Sequence, residues 1–205
     1  MRDFFIDGPP DARHTLVFAH GAGGPMDGAA MNHVAHGFAA AQIRVVRFEF
    51  PYMAARRRGE RRGAPDRQPV LLDCWRDVVS ELGGGSRLVL GGKSLGGRMA
   101  TMIADEVGAR GVLCFGYPFH PPGQPAKLRT AHLETLRTPL LIVQGSRDPF
   151  GSEEEVGTYA LSQSICVEWI PGGDHSFKPR PGSSLTEREN LETVIGAGVR
   201  FVTSV

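Results

Sequence analysis

The sequence predicts an α/β fold whose core is a doubly wound, mostly parallel sheet of about six to seven strands. Two observations carry this prediction. Short apolar runs without polar alternation recur along the chain, and longer segments with helical periodicity separate them. Unalternated apolar runs are typical of strands that are buried on both faces of a parallel sheet. Their alternation with helical segments is typical of a sheet covered by helices.

Six runs are the candidate core strands, because each is short, apolar and rich in β-branched or aromatic residues. A further strand is expected at the sheet edge, at residues 4–6. Five longer segments have the apolar spacing of helices. The core strands are predicted at 16–19, 45–48, 88–90, 112–115, 140–143 and 166–170, and the helices at 26–41, 69–82, 95–107, 153–161 and 186–201.

Composition and charge exclude several functional classes. Apolar residues make up 41% of the chain and charged residues 22%, as in globular domains, and the net charge of +1 gives no reason to expect nucleic acid as a partner. The N-terminal apolar run is too short for a signal peptide, and no segment approaches the ~18 apolar residues that span a bilayer. We therefore expect a single cytoplasmic domain over residues 1–205, with no membrane partner. The cysteines, which lack metal-type spacing, are expected to be buried free thiols: Cys74, Cys114 and Cys166.

The pentapeptide Gly-Lys-Ser-Leu-Gly at 92–96 is the most informative motif of the chain. It stands directly between a predicted strand and a predicted helix, which is the setting of a nucleophile elbow. The glycines let the two backbones approach while Ser94 is exposed at the tip. The segment also resembles the end of a phosphate-binding loop, but that motif needs a glycine at position 87, where the chain has Arg87. Ser94 is therefore the candidate nucleophile.

A serine nucleophile needs a base, usually histidine, oriented by a carboxylate. Asp148 follows the predicted strand 140–143, and His175 follows the strand 166–170. Because parallel strands end at one edge of the sheet, we expect both residues to meet Ser94 there. Asp174 is the alternative acid, although adjacent loop side chains rarely face each other. A turn aspartate before Pro149 is the non-functional interpretation of Asp148.

Acyl transfer also needs backbone N–H groups that face the developing oxyanion. The amide of Leu95, directly after the candidate nucleophile, is predicted to be one donor. The glycine-rich loop at 20–24 follows the first core strand and is predicted to supply the other donor from Ala22, with Gly21 the next candidate. His20 is interpreted as a structural residue of this loop, with a catalytic role for its ring as the alternative.

Two groups of charged residues are candidates for substrate binding. The most basic segment runs from 56 to 62 and contains Arg56, Arg57 and Arg58. It is either a solvated loop or a site for an anionic substrate group, since arginine binds carboxylate and phosphate bidentately. Nucleic-acid binding is a weaker alternative, because no other basic face supports it. Lys93, within the elbow, either packs under the turn or contacts a charged ligand.

Aromatic residues after the predicted strand 112–115 form a third candidate group. Tyr117, Phe119 and His120 lie in a proline-rich stretch at the expected binding edge of the sheet. They would either line a pocket for the acyl or alcohol group or brace the loop.

These motifs together resemble the α/β-hydrolase superfamily. The segments 47–53, 92–98 and 116–123 are similar, more narrowly, to the small KANL/Tex-type hydrolases near the dienelactone hydrolase-like group. The resemblance covers nearly the whole chain and implies a minimal α/β-hydrolase fold without a large cap. Dienelactone hydrolases use a cysteine nucleophile, whereas this chain has Ser94.

The resemblance and the motifs together favour hydrolysis of a small-molecule ester or thioester, with no cofactor. The alternatives are a peptidase or amidase that uses the same residues, and a non-catalytic binding or scaffold protein on a hydrolase fold.

Overall fold

Seven strands form one sheet in the computed structural model, which describes residues 3–60 and 63–205. In chain order they are β1 (Phe5–Asp7), β2 (Thr15–Ala19), β3 (Arg44–Phe48), β4 (Leu88–Lys93), β5 (Gly111–Phe115), β6 (Leu140–Gly145) and β7 (Ile165–Ile170). Their spatial order is β1-β3-β2-β4-β5-β6-β7, and all neighbours are parallel except β1 and β3. The predicted mostly parallel sheet is confirmed.

Helices cover both faces of this sheet. Within the described residues the α-helices are α1 (Ala29–Ala40), α2 (Pro51–Arg57), α3 (Gln68–Glu81), α4 (Leu95–Val107), α5 (Glu153–Val156) and α6 (Glu187–Ser204). Buried side chains of α3 and α4 form one apolar cluster with the sheet, and those of α1 and α6 form a second. Successive residues of a strand point to opposite faces, so β2 and β6 contribute to both clusters. None of the helices in the described ranges is long and apolar enough to cross a membrane.

Two helical segments differ from the prediction. The segment after β3 was expected to be irregular, but it begins with α2, where Pro51 occupies the first helical turn and its fixed φ suits a helix start. The helix expected at 153–161 ends at Val156. It begins with a capping box in which Ser152 and Glu155 bond each other's backbone N–H groups, and Gly157, a weak helix former, follows its last residue.

Strand β7 also departs from the sequence prediction, because it is an edge strand rather than a central one. Its residues are mostly half-buried, and the side chain of Cys166 is exposed. The prediction of a buried thiol is therefore wrong for Cys166 and confirmed for Cys74 and Cys114.

Two glycines of α6 allow a matched test of the packing between this helix and the sheet. A methyl group on Gly198 would lie 2.6 Å from Phe38 Cζ and 3.0 Å from Leu113 Cδ2, whereas a methyl group on Gly196 would meet only Arg200 Nη1 at 3.6 Å. We expect Gly198→Ala to lower the free energy of unfolding by about 1–3 kcal/mol through overpacking. Gly196→Ala should raise it by about 0.5–1 kcal/mol, because alanine is the better helix former.

Urea unfolding of the two variants beside the wild type measures both changes. Equal effects of the two substitutions would contradict the close packing of α6 at position 198.

Candidate active site

The turn between β4 and α4 has the geometry of a nucleophile elbow. Ser94 stands alone between the two elements, with φ 51° and ψ −111°, a backbone conformation that is rare for a residue with a side chain. A Cβ atom at Gly92 or at Gly96 would lie 2.6 Å from the carbonyl oxygen of Ala19, and one at Gly97 would collide with the Cys114 sulfur. The tight turn therefore depends on all three glycines.

Ser94, His175 and Asp148 form a continuous chain of hydrogen bonds. Ser94 Oγ lies 3.0 Å from His175 Nε2, and His175 Nδ1 lies 2.7 Å from Asp148 Oδ2. The carboxylate accepts the proton of Nδ1, so Nε2 is free to accept the proton of the serine hydroxyl. The three residues follow β4, β6 and β7, as expected from the shared edge of parallel strands.

Asp148 is buried, and both of its oxygens accept hydrogen bonds. Gln144 donates from Nε2 to Oδ2 at 3.0 Å, and the amide of Phe150 donates to Oδ1 at 2.9 Å. Gln144 is a residue that the sequence analysis missed; a polar side chain at the end of the apolar strand β6 was the available signal. The alternative acid, Asp174, instead accepts hydrogen bonds from backbone amides of its own loop.

The imidazole of His175 is packed against an aromatic ring. The Phe150 ring lies 4.3 Å from it between centroids, at an interplanar angle of 36°. Gly116 has φ 69° and leaves room for the histidine, since a Cβ atom there would lie 3.2 Å from His175 Nδ1. The Phe150 contact and the hydrogen bonds to Asp148 and Ser94 together fix the position of the ring.

The loop at 20–24 is held by hydrogen bonds of two ring-bearing side chains, His20 and Tyr52. His20 Nδ1 donates to the carbonyl of Gly21 at 2.7 Å, and Nε2 accepts the amide proton of Phe50 at 3.1 Å. Burial lowers the pKa of His20, which favours the neutral ring that both bonds require. The Tyr52 hydroxyl donates to the carbonyl of Ala22 at 3.1 Å. The ring of His20 thus has the structural position that the sequence analysis favoured.

The predicted oxyanion donors lie next to Ser94, since one follows it in the chain and the others line the same cavity. Leu95 is the first residue of α4, where a backbone N–H has no acceptor within the helix. Ala22 and Gly21 line the same cavity as Ser94. Within the described residues, no backbone carbonyl accepts a hydrogen bond from the amide of Ala22 or Leu95.

Arg57 holds the segment next to this loop through ion pairs and lies outside the cavity beside Ser94. Its guanidinium binds Asp27 Oδ1 at 2.7 Å and Glu49 Oε1 at 2.7 Å, and it does not line the cavity beside Ser94. Two carboxylates hold the guanidinium charged and raise its pKa above the ordinary value. The ion pairs connect α2 to the segment that follows the loop at 20–24.

The neighbouring arginines also lie outside this cavity. Arg56 lies over the Tyr52 ring, with its Cζ atom 5.1 Å from the centroid, and Arg58 forms a surface ion pair with Glu60. Anion recognition by Arg56, Arg57 and Arg58 at Ser94 therefore finds no support in their positions. The remaining arginines of the basic segment, at 61 and 62, lie outside the described residues.

The aromatic group after β5 also lies away from the cavity. Tyr117, Phe119 and His120 are buried, and none of them lines the space beside Ser94. The Tyr117 hydroxyl donates to the carbonyl of Arg129 at 2.9 Å, and the amide of Arg129 donates to the carbonyl of Phe119 at 2.8 Å. Because the rings pack inward, the bracing interpretation fits their positions and the pocket-wall interpretation does not.

A cavity of about 570 Å³ opens beside Ser94 between the loop at 20–24, α1 and the start of α6. Its wall is mostly apolar. These wall residues could not be identified from the sequence, because an apolar pattern does not distinguish a side chain that faces a cavity from one that faces the core. The apolar wall residues are Phe18, Met31, Val34, Phe115, Phe150, Phe177 and Leu191. In the part of the chain that the structure describes, no group of His, Cys, Asp and Glu side chains is arranged to hold a metal ion.

Lys93 packs under the elbow, next to His175. Its ammonium donates to the backbone carbonyl of His175 at 2.6 Å and lies 5.6 Å from the Phe177 ring centroid. Burial lowers the pKa of Lys93 to about 8, against the opposing attraction of Asp148. Lys93 therefore connects the elbow to the histidine loop.

This pKa predicts a pH dependence of stability. Between pH 8 and 10.5 Lys93 is largely deprotonated in the folded chain and still protonated in the unfolded chain. Because the unfolded chain then binds more protons, the free energy of unfolding rises with pH across this range. We expect the free energy of unfolding of the wild type to rise relative to Lys93→Met across this range, by up to about 3 kcal/mol. Urea unfolding at several pH values measures the difference.

Lys127→Met, which removes an exposed lysine in place of the buried one, is the matched control. A pH-independent difference between the wild type and Lys93→Met would contradict the lowered pKa.

The sequence matches the family model described as "Alpha/beta hydrolase domain" over residues 12–203. Solved structures of similar fold include a serine hydrolase without a lid from Xanthomonas campestris, with 20% identity and a TM-score of 0.69, covering 97% of this chain and 88% of that chain. A dienelactone hydrolase from Anabaena variabilis has 21% identity and a TM-score of 0.72, with 98% and 90% covered. A monoacylglycerol lipase from Paleococcus ferrophilus has 14% identity and a TM-score of 0.68, with 96% and 99% covered. These similarities show the fold, and they confirm the prediction of a minimal architecture without a large cap.

Proposed function

The chain belongs to the alpha/beta hydrolase family, and we propose that it is a serine hydrolase that cleaves a carboxylic ester or thioester through an acyl-Ser94 intermediate. The observation that carries this proposal is the hydrogen-bonded chain from Ser94 through His175 to the buried Asp148. Similar folds named as serine hydrolase, dienelactone hydrolase and monoacylglycerol lipase support hydrolysis as the reaction class.

Acylation begins when Ser94 Oγ attacks the carbonyl carbon of the substrate and His175 Nε2 accepts the hydroxyl proton. The carbonyl oxygen becomes an oxyanion, which the amides of Leu95 and Ala22 stabilise, with Gly21 as the neighbouring candidate. The tetrahedral intermediate then collapses. His175 returns the proton to the leaving alcohol or thiol, and the acyl group remains on Ser94.

Deacylation repeats the same proton transfers with water. His175 removes a proton from a water molecule that attacks the acyl carbon, and the second tetrahedral intermediate releases the acid and restores Ser94. Asp148 holds the imidazole in the productive tautomer and stabilises the imidazolium, while Gln144 and the Phe150 amide hold the carboxylate in place.

Labelling by a fluorophosphonate probe tests the proposal. The probe reacts covalently with activated serines, so the wild type should be labelled and Ser94→Ala should not. Ser176→Ala is the matched control, because this exposed serine lines the same cavity without a place in the hydrogen-bonded chain. An inert wild type would favour the binding or scaffold alternative. Turnover of aryl amides as fast as aryl esters would favour the peptidase or amidase alternative.

Domain organisation and location are part of the same proposal. We propose one hydrolase domain over residues 1–205 that acts in the cytoplasm on a small molecule. The free thiols of Cys74, Cys114 and Cys166 support a reducing compartment.

A further inference from the structure

We propose that the cavity beside Ser94 is an acyl pocket, and that the preferred substrates carry an uncharged, unbranched acyl chain of about six to ten carbons. This inference rests on the proposed hydrolase function and adds the substrate class. It is carried by the wall, the charge and the size of the cavity.

Side chains from two strands, two helices and the loops between them make the wall of the cavity. Phe18 of β2 and Phe115 of β5 form the floor, and Met31 and Val34 of α1 form one side. These four side chains are almost fully buried although they border the cavity. Leu191 of α6 and Phe177 complete the wall. An acyl chain would exchange water for apolar contacts along its whole length.

The charges that border the cavity disfavour an anionic acyl group. Of the described residues that line it, Lys93 carries the positive charge, and its ammonium already donates to the carbonyl of His175. Glu187 places a carboxylate at the mouth. Arg56, Arg57 and Arg58 do not line this cavity. A carboxylate on the acyl chain would therefore lose hydration without gaining a partner.

The order of the chemical steps assigns this cavity to the acyl group rather than to the alcohol. The acyl group stays bonded to Ser94 through both half-reactions, whereas the alcohol must leave before water can attack. A deep apolar space suits the group that stays. The open side, which the exposed lining residues Ala22, Ser176 and Glu187 border, suits the group that leaves.

The size of the cavity sets the range of chain length. At roughly 30 Å³ per heavy atom, the packing volume of water, 570 Å³ corresponds to about 19 atoms. Part of this space is the open mouth that the reacting ester group and the alcohol occupy. The remainder accommodates a medium acyl chain.

The first experiment measures kcat/KM for p-nitrophenyl esters from acetate to dodecanoate. We expect kcat/KM to rise about fourfold per methylene up to octanoate and then to level off or fall, because each buried methylene contributes about the same transfer free energy. The hexanoate ester should exceed the monoester of adipic acid, its anionic counterpart, by about tenfold or more. A flat series, or a preference for the anionic ester, would overturn the proposal.

Variants of α6 test whether this cavity causes the preference. Leu191→Trp should lower kcat/KM for octanoate about tenfold or more and leave acetate within about twofold, since an acetyl group is too short to reach this wall. Val199→Trp is the matched control, on the same helix, half-buried, and outside the cavity. Equal octanoate-to-acetate ratios in both variants would overturn the assignment. If Leu191→Trp does not fold, Ala30→Trp, at the exposed mouth, replaces it.

A binding measurement separates failure of the pocket from failure of the hydrolase proposal. Isothermal titration of Ser94→Ala with N-methyloctanamide and N-methylhexanamide, uncharged analogues of the esters, should give about 16-fold tighter binding for the longer chain. This binding without ester turnover in the wild type would overturn the proposed function and support the pocket. Ester turnover without any effect of chain length would overturn the pocket alone.

Discussion

Replacing Ser94 with alanine is expected to lower kcat by about 10⁶-fold, and His175→Ala is expected to cost about as much. The two residues act as one unit, because His175 Nε2 lies 3.0 Å from Ser94 Oγ and has no function in the reaction without that hydroxyl. The double variant should therefore be no slower than either single variant. Steady-state hydrolysis of an activated ester measures all three.

Ser176→Ala serves as the control and should keep the wild-type kcat. If the losses of kcat in the two single variants multiply in the double variant, Ser94 and His175 act independently, and the proposal that they act as one unit is wrong. A residual rate above that in water is expected in every variant, because the proposed oxyanion donors, the amides of Leu95 and Ala22, remain.

Replacing Asp148 with asparagine is expected to lower kcat by about 10⁴-fold. The reason lies in the hydrogen bonds around the carboxylate, since Oδ2 accepts from His175 and Gln144 and Oδ1 accepts from the Phe150 amide. An asparagine NH₂ group in either position would face a donor. The imidazole would be driven toward the wrong tautomer, with its proton on Nε2 facing the serine.

The pH-independent kcat of Asp148→Asn, measured beside Asp174→Asn, tests this assignment. Asp174→Asn should change kcat only a few-fold, because that carboxylate caps its own loop. A large loss in Asp174→Asn with little change in Asp148→Asn would move the acid to position 174. Asp148→Asn should also lower the free energy of unfolding by about 1–3 kcal/mol, since one buried donor loses its acceptor.

The parts of the fold that could be predicted from the sequence are those that depend on residues close together in the chain. The runs around Val17, Leu90 and Ile142 are apolar on both faces, so their burial between two helix layers could be predicted from composition alone. Ser94, Asp148 and His175 could be placed together because each follows a parallel strand of the same sheet, and the elbow glycines fix the turn.

The parts that the sequence did not predict depend on contacts between distant segments. Arg57 appeared to be a solvated cation because its partners, Asp27 and Glu49, lie 30 and 8 residues away in the chain. For Tyr117 the sequence left a pocket wall and a loop brace as alternatives, because its inward direction is set by the loop that carries Arg129. The edge position of β7, which exposes Cys166, follows from the sheet order, and no single strand encodes that order.

The backbone conformation at position 94 restricts which residue types could replace Ser94 as the nucleophile. At φ 51° a β-branched side chain is strongly disfavoured, so threonine would strain the turn, whereas cysteine is unbranched and fits where serine does. The elbow can therefore hold either the oxygen of serine or the sulfur of cysteine as the attacking atom. It does not suit the secondary alcohol of threonine. The conformation of this one turn therefore permits replacement of the serine by cysteine and disfavours replacement by threonine.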